Sequence, residues 1–174
     1  MKLRALPADV EAHLTKIGAP KRLRVHLQLV HDVAMQLSAA LTSLTFDRSA
    51  VAFGAATHDI GKALHPHELT GSGNAHELAG YEWLIAQGEP ESRARFARTH
   101  AKWAEADATI EDLLVSLADK VWKGRREEEL EQKIVARIAK ATGQQPWGVF
   151  MKLDELLGDL AADADARLAL QQQP

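Results

Sequence analysis

The sequence predicts an all-α fold. Apolar residues recur with a period of 3.6 along nearly the whole chain, and strand-like alternation of β-branched residues is scarce. Pro, Gly, Asn or Asp stands at most breaks in the pattern. The 174 residues suffice for one hydrophobic core, with little room for a second. The expected organisation is a single domain over residues 1–174, a bundle of seven or eight helices.

The elements follow in order. Pro7 suits the first turn of a helix that Gly18 stops near Ile17. A long, very apolar helix runs from Lys21 to roughly Leu44. Asp47 can cap a third helix that ends near Gly61. Leu64 to Asn74, holding Pro66, Gly71 and Gly73, reads as the one extended break. Asn74 is a good cap for a helix to about Gln87. Further helices are expected over Pro90 to Lys102, Ala108 to Lys123, Arg126 to Thr142 and Pro146 to about Leu170. The polar tail, Gln171 to Pro174, is expected to fray.

Composition limits the function. Hydrophobic residues make up 46% and charged residues 26%, a globular balance. A net charge of −3 gives no general pull toward nucleic acid or anionic membrane. With no cysteine, disulfides and thiolate metal sites are excluded, so any metal must be held by His, Asp or Glu. Such donors favour Fe, Mn, Co, Ni, Zn or Mg. The N-terminus, MKLRALPADVEAHL, carries charges where a signal peptide would be apolar. No window approaches the roughly 18 apolar residues of a membrane span. A cytoplasmic location is the simplest expectation, and the oligomeric state is left open.

Val51 to Ala63 is the most informative stretch. Small apolar residues carry His58 and Asp59 side by side, followed by Gly61 and Lys62. Burying a His and an Asp together costs free energy unless something binds them. A core His paired to its neighbouring carboxylate would also explain the two residues alone. His26 lies on the apolar face continued by Val30, Ala34, Leu37 and Leu41. His31 is about 140° further round the same helix, by five steps of 100°. His76 opens a helix, and Gly80 four residues on allows a close backbone approach. His100 closes a helix. Asp119 sits mid-helix in DLLVSLADKVW, where Asp is a poor helix former and needs a partner. Singly, each is better explained structurally. Together, His26, His58, Asp59, His76, His100 and Asp119 are six N or O donors from separate helices, a set that helical bundles use to build metal sites.

The series His26, His58-Asp59, Asp119 resembles the H…HD…D signature of the HD superfamily of metal-dependent phosphohydrolases. RLRVHLQLVHDVAMQL is similar to that family's first helix, with Val, Ala and Leu at +4, +8 and +11 from the ligand His. Val30, Ala34 and Leu37 meet that register from His26. From His31 the positions are Met35, Ala39 and Thr42, so His26 is favoured and His31 is the alternative. AATHDIGKA resembles the central motif and LADKVWKGR the closing one. The similarity covers about residues 21 to 130. The C-terminal helices, about 126 to 170, carry no family motif and are expected to pack on the rest. His76 and His100 fall where family members that bind two metals carry further ligands.

The resemblance therefore implies two divalent ions. His26, His58, Asp59 and Asp119 would hold the first, and Asp59, His76 and His100 the second, with Asp59 as bridge. It implies attack by metal-activated hydroxide on a phosphate ester or anhydride of a nucleotide or other small phosphorylated metabolite. Lys62, three residues beyond Asp59, would bind the phosphate or steady the leaving oxygen, although a solvated lysine at a helix end would look the same. No GYP-type motif and no partner nucleotidyltransferase or synthetase region is present. Two other readings share the ligand set: a di-iron oxygenase and a non-catalytic sensor or interaction domain. His65 and His67 could line an entrance, and Lys120, Lys123, Arg125 and Arg126 could reach further phosphates. The acidic run Glu127 to Glu129 follows immediately, and such a mixture is more often a solvated, self-paired helix start. TGSGN lacks the context of a P-loop. Tyr81, Trp83, Trp103 and Trp122 are expected in the core or at its rim.

Overall fold

The computed structural model describes residues 2–172, and Gln173 and Pro174 of the expected frayed tail lie outside them. The described residues form α-helices joined by turns, with no strand among them. They are α1 (Ala8–Lys16), α2 (Lys21–Ala40), α3 (Arg48–Thr57), α4 (Ala75–Ala86), α5 (Glu91–Ala94), α6 (Phe96–Thr99), α7 (Ile110–Val121), α8 (Glu128–Thr142), α9 (Pro146–Ala162) and α10 (Ala164–Gln171). Two 3-10 turns, Ile60–Ala63 and Pro66–Leu69, fill the connection between α3 and α4.

Local chemistry explains several boundaries. Asp47 starts α3 by accepting hydrogen bonds from the Ser49 and Ala50 amides, each at 2.9 Å. Thr109 and Asp112 form a reciprocal capping box on α7. Gly143 ends α8 with φ of 70°, a left-handed turn that a side chain would resist. The long second helix stops at Ala40, short of Leu44, and Arg48 reaches back to the Ser38 and Leu41 carbonyls that this leaves free.

Two expected helices are divided. Pro90 to Lys102 becomes α5 and α6, although Arg95 between them keeps helical dihedrals (φ −54°, ψ −31°). The C-terminal helix bends at Asp163 (φ −88°, ψ 4°), which separates α9 from α10. That bend lets Arg167, 1% exposed, donate from Nη1 to the carbonyls of Trp122 and Leu160. A buried cation thus caps the ends of two other helices, where the partial charge is negative.

Two apolar clusters flank α2 and α3. One gathers Leu29, Val33, Leu37, Val51, Leu114, Leu117, Ile134 and Leu157 from α2, α3, α7, α8 and α9. The other gathers Val10, Leu14, Leu23, Leu27, Phe53, Ile60 and Leu84 from α1, α2, α3, the first 3-10 turn and α4. No helix of the described residues is long and apolar enough to cross a membrane.

Candidate metal centre

The His58-Asp59 pair sits between α3 and the first 3-10 turn, with His58 as the C-cap of α3 and Asp59 as the residue just before the turn. From there His58 reaches side chains of α2 and α7, and Asp59 reaches those of α2 and α4. The third helix was expected to end near Gly61; it ends at Thr57, and Gly61 lies in the 3-10 turn without positive φ. Its role is close approach: a Cβ there would lie 2.0 Å from the His76 carbonyl oxygen and 2.6 Å from the Gly80 amide nitrogen. Gly80, in turn, would place a Cβ 3.0 Å from the Gly61 nitrogen. Two bare backbones in contact hold His76 against Asp59.

Asp59 has a different set of neighbours at each oxygen. Oδ2 lies 3.1 Å from His26 Nε2 and 3.6 Å from His58 Nε2. Oδ1 lies 3.0 Å from His76 Nε2 and 3.6 Å from His100 Nε2. Asp119 Oδ1 comes within 3.5 Å of His58 Nε2 and 3.9 Å of His26 Nε2, on the first side. The six expected residues are therefore together. His31 is elsewhere: it is buried, and its electrostatic surroundings are Asp32 and Arg4 rather than the cluster.

Hydrogen bonding orients the rings. His58 Nδ1 lies 3.0 Å from the Ala55 carbonyl, and His100 Nδ1 lies 3.2 Å from the Phe96 and Ala97 carbonyls. A carbonyl only accepts, so these Nδ1 atoms carry the proton and the neutral ring turns a lone pair inward from Nε2. His76 Nδ1 does the same with the carboxylate of Glu68. A carboxylate behind an imidazole is the arrangement that fixes tautomer and raises basicity in metal-binding histidines.

Burial opposes the charge on Asp59, but His58, His26, His76 and His100 hold its carboxyl well below the ordinary carboxylate value. Burial also opposes charge on Asp119, and His58 outweighs it, so that carboxyl is lowered too. Burial and the neighbouring His58 push His100 down to about 4, leaving its ring neutral at pH 7. His58 and His76 are pulled down by burial but end above the usual imidazole value, His58 through Asp59 and Asp119, His76 through Asp59 and Glu68.

These residues fit a divalent cation. Asp59 Oδ1 and His76 Nε2 are buried, 3.0 Å apart, and neither has an aligned hydrogen bond. Two inward-facing acceptors at that distance repel each other unless a proton or a cation lies between them. His26 Nε2 lies 3.3 Å from His58 Nε2, where a hydrogen bond forms only when His26 carries its proton on Nε2. Two groups, His26 with His58 and Asp59, and Asp59 with His76 and His100, bring their donor atoms within 4.8 Å of one another. Hard and borderline donors suit Fe, Mn, Co, Ni, Zn or Mg. Lys62 places its ammonium 2.6 Å from Asp59 Oδ2, beside the first group.

Glu68 was not apparent from the sequence. Besides holding His76 Nδ1, it accepts from the Ala75 and His76 amides, each at 3.1 Å. Asn74 makes no side-chain cap on α4, so Glu68 takes the capping role expected of it. TGSGN wraps this carboxylate, and a Cβ on Gly73 would lie 2.3 Å from Glu68 Oε1. His67 faces that oxygen at 3.6 Å and is otherwise exposed. Glu68→Gln is expected to weaken binding at the second group roughly 10- to 100-fold, read by competitive titration with a metal-sensitive dye. An unchanged affinity would show that the His76 ring needs no carboxylate.

Ser116 is a second unforeseen contributor. Its hydroxyl donates to the His100 carbonyl at 2.8 Å and so ties α7 to the residue that closes α6. Of the tryptophans, Trp122 borders the cluster, its ring 5.1 Å from that of His26.

A helical bundle that turns four imidazoles and two carboxylates onto one interior point belongs to the class of proteins whose core can hold divalent ions. The family model of the HD domain matches residues 24–141, and the chain belongs to that family, whose members are generally metal-dependent hydrolases. No solved structure matches it.

Proposed function

We propose that this protein is a dinuclear phosphohydrolase acting on a small phosphorylated metabolite. The observation that carries the reading is that Asp59 turns each carboxylate oxygen to a separate pair of histidines. One carboxylate can then share two ions. His26, His58 and Asp119 complete the first site, and His76 and His100 the second. Divalent ions held there supply positive charge against a phosphoryl oxygen and lower the pKa of water toward about 7.

The chain's own groups do the rest. The Nδ1–H bonds of His58, His76 and His100 keep each Nε2 aimed inward. Glu68 and the Gly61–Gly80 contact fix the distance between the two halves of the site. Lys62 has the reach to leave Asp59 for a phosphate oxygen and steady charge on the leaving oxygen. No Ser-His-Asp or cysteine nucleophile is needed for this chemistry.

The test is metal analysis of anaerobically purified protein, followed by a panel of phosphomonoesters, diesters and dinucleoside polyphosphates with Mn, Co or Fe added. About two ions per chain and phosphate release without oxygen are expected. His26→Ala should lose both, and His31→Ala should keep both. No phosphate from any member would overturn the reading.

A further inference from the structure

A cavity of about 280 Å³ opens from His26 and Asp59 to the surface. Its wall is apolar where Leu23, Leu69 and Leu168 line it, and its cationic lining is Arg22, Lys62 and Lys123. Asp59 is the one carboxylate among the lining residues. A larger cavity of about 530 Å³ lies elsewhere, between the N-terminal segment and α10, and none of the six ligand-type residues lines it.

The basic cluster after Asp119 sorts itself around this mouth. Lys120 pairs with Asp119, Arg125 with Glu127, and Arg126 with Glu131 and Asp154. Lys123 has no carboxylate partner among the described residues; its ammonium lies 5.8 Å from the Trp122 ring. Three of the four cations are neutralised by their own helix surroundings, and the exception is the one that faces the cavity. Arg22 is likewise without an ion pair among the described residues. It stands in the first turn of α2, which contains no acidic residue. The positive end of a helix is an unfavourable place for a cation unless an anion joins it.

We infer that the substrate carries a second anionic group, and that Arg22 and Lys123 hold it at the mouth while the ions hold its phosphate. This deepens the phosphohydrolase reading and rests on it. The cavity lies just below the ~300–1,000 Å³ range of drug-sized ligands, so the compound is a compact phosphate monoester rather than a dinucleotide. The second group is a carboxylate or a phosphate, and both have the charge that Arg and Lys recognise. Arg22 and Leu168 lie outside residues 24–141, whereas Lys123 lies within them, so the mouth joins the matched region to flanking chain.

The test uses a matched three-carbon series: the alcohol phosphate, its carboxylate counterpart and its bisphosphate, with the Mn-loaded full chain. The second anion should lower KM about tenfold or more while kcat changes little, since one charge-assisted contact is worth about 1.4 kcal/mol. In Arg22→Ala/Lys123→Ala the KM ratio between the alcohol phosphate and either dianionic partner should collapse to about 1. Arg22→Lys and Lys123→Arg should restore most of it. The carboxylate and bisphosphate arms show which second group is preferred. A ratio near unity in the parent protein, or one the double variant leaves intact, would overturn the inference. If no member released phosphate, the phosphohydrolase reading would fail. Calorimetric binding of the bisphosphate would still decide the mouth, with affinity lost in the double variant supporting it and unchanged affinity refuting it.

Discussion

Asp59→Asn is expected to remove both ions together. The amide keeps the shape of the carboxylate but offers only one oxygen and no charge to the two histidine pairs. Loss of about 4 kcal/mol of charge stabilisation corresponds to roughly a 10³-fold fall in turnover. The stability readout is separate. Free metal at 100 times its Kd adds about 2.7 kcal/mol per site to a protein that binds only when folded. Wild-type protein should therefore melt higher with Mn than with chelator, and Asp59→Asn should show little difference. A variant that kept two ions and activity within tenfold would mean that Asp59 does not bridge.

Gly61→Ala should have the second large effect, without touching a ligand. The new methyl would lie 2.0 Å from the His76 carbonyl oxygen, which is backbone and cannot rotate away. α4 would have to retreat by about 1 Å, and overpacking of this kind costs roughly 3 kcal/mol. In a domain of this size that lowers Tm by about 6–12 °C. The retreat carries His76 away from Asp59 Oδ1, so the second ion should be lost while the first remains. Thermal unfolding in chelator gives the first effect and metal stoichiometry the second. A Tm within about 2 °C of wild type, with two ions retained, would show that the helices yield elsewhere.

The sequence made most of the helices and all six ligand-type residues legible for the same reason. Each has a local pattern: His26 sits on an apolar stripe, Asp119 interrupts one, and His58-Asp59 is embedded in small residues. Glu68 has no such pattern. It caps a helix from seven residues upstream through a glycine loop, so neither periodicity nor a capping box points to it. Gly61 was expected to end the third helix, but α3 stops at Thr57 and Gly61 lies inside the 3-10 turn that follows. Its contact is with a backbone 15 residues further along, at His76, and local propensity carries no trace of that. The bend at Asp163 was equally hidden, because Ala and Leu on both sides suit a continuous helix. What selects the bend is Arg167 finding the carbonyls of Trp122 and Leu160, a tertiary contact.

That contact has a wider consequence. Arg167 fastens the C-terminal helix at one point near its middle, close to Trp122 and hence to His26. Leu168 and Gln171, which border the cavity, lie beyond the fastening and touch none of the six ligand-type residues in the hydrogen bonds described. The terminal helix thus contributes wall to the cavity without contributing a donor to the cluster, so substitutions at Leu168 or Gln171 can reshape the opening while the six side chains keep their geometry.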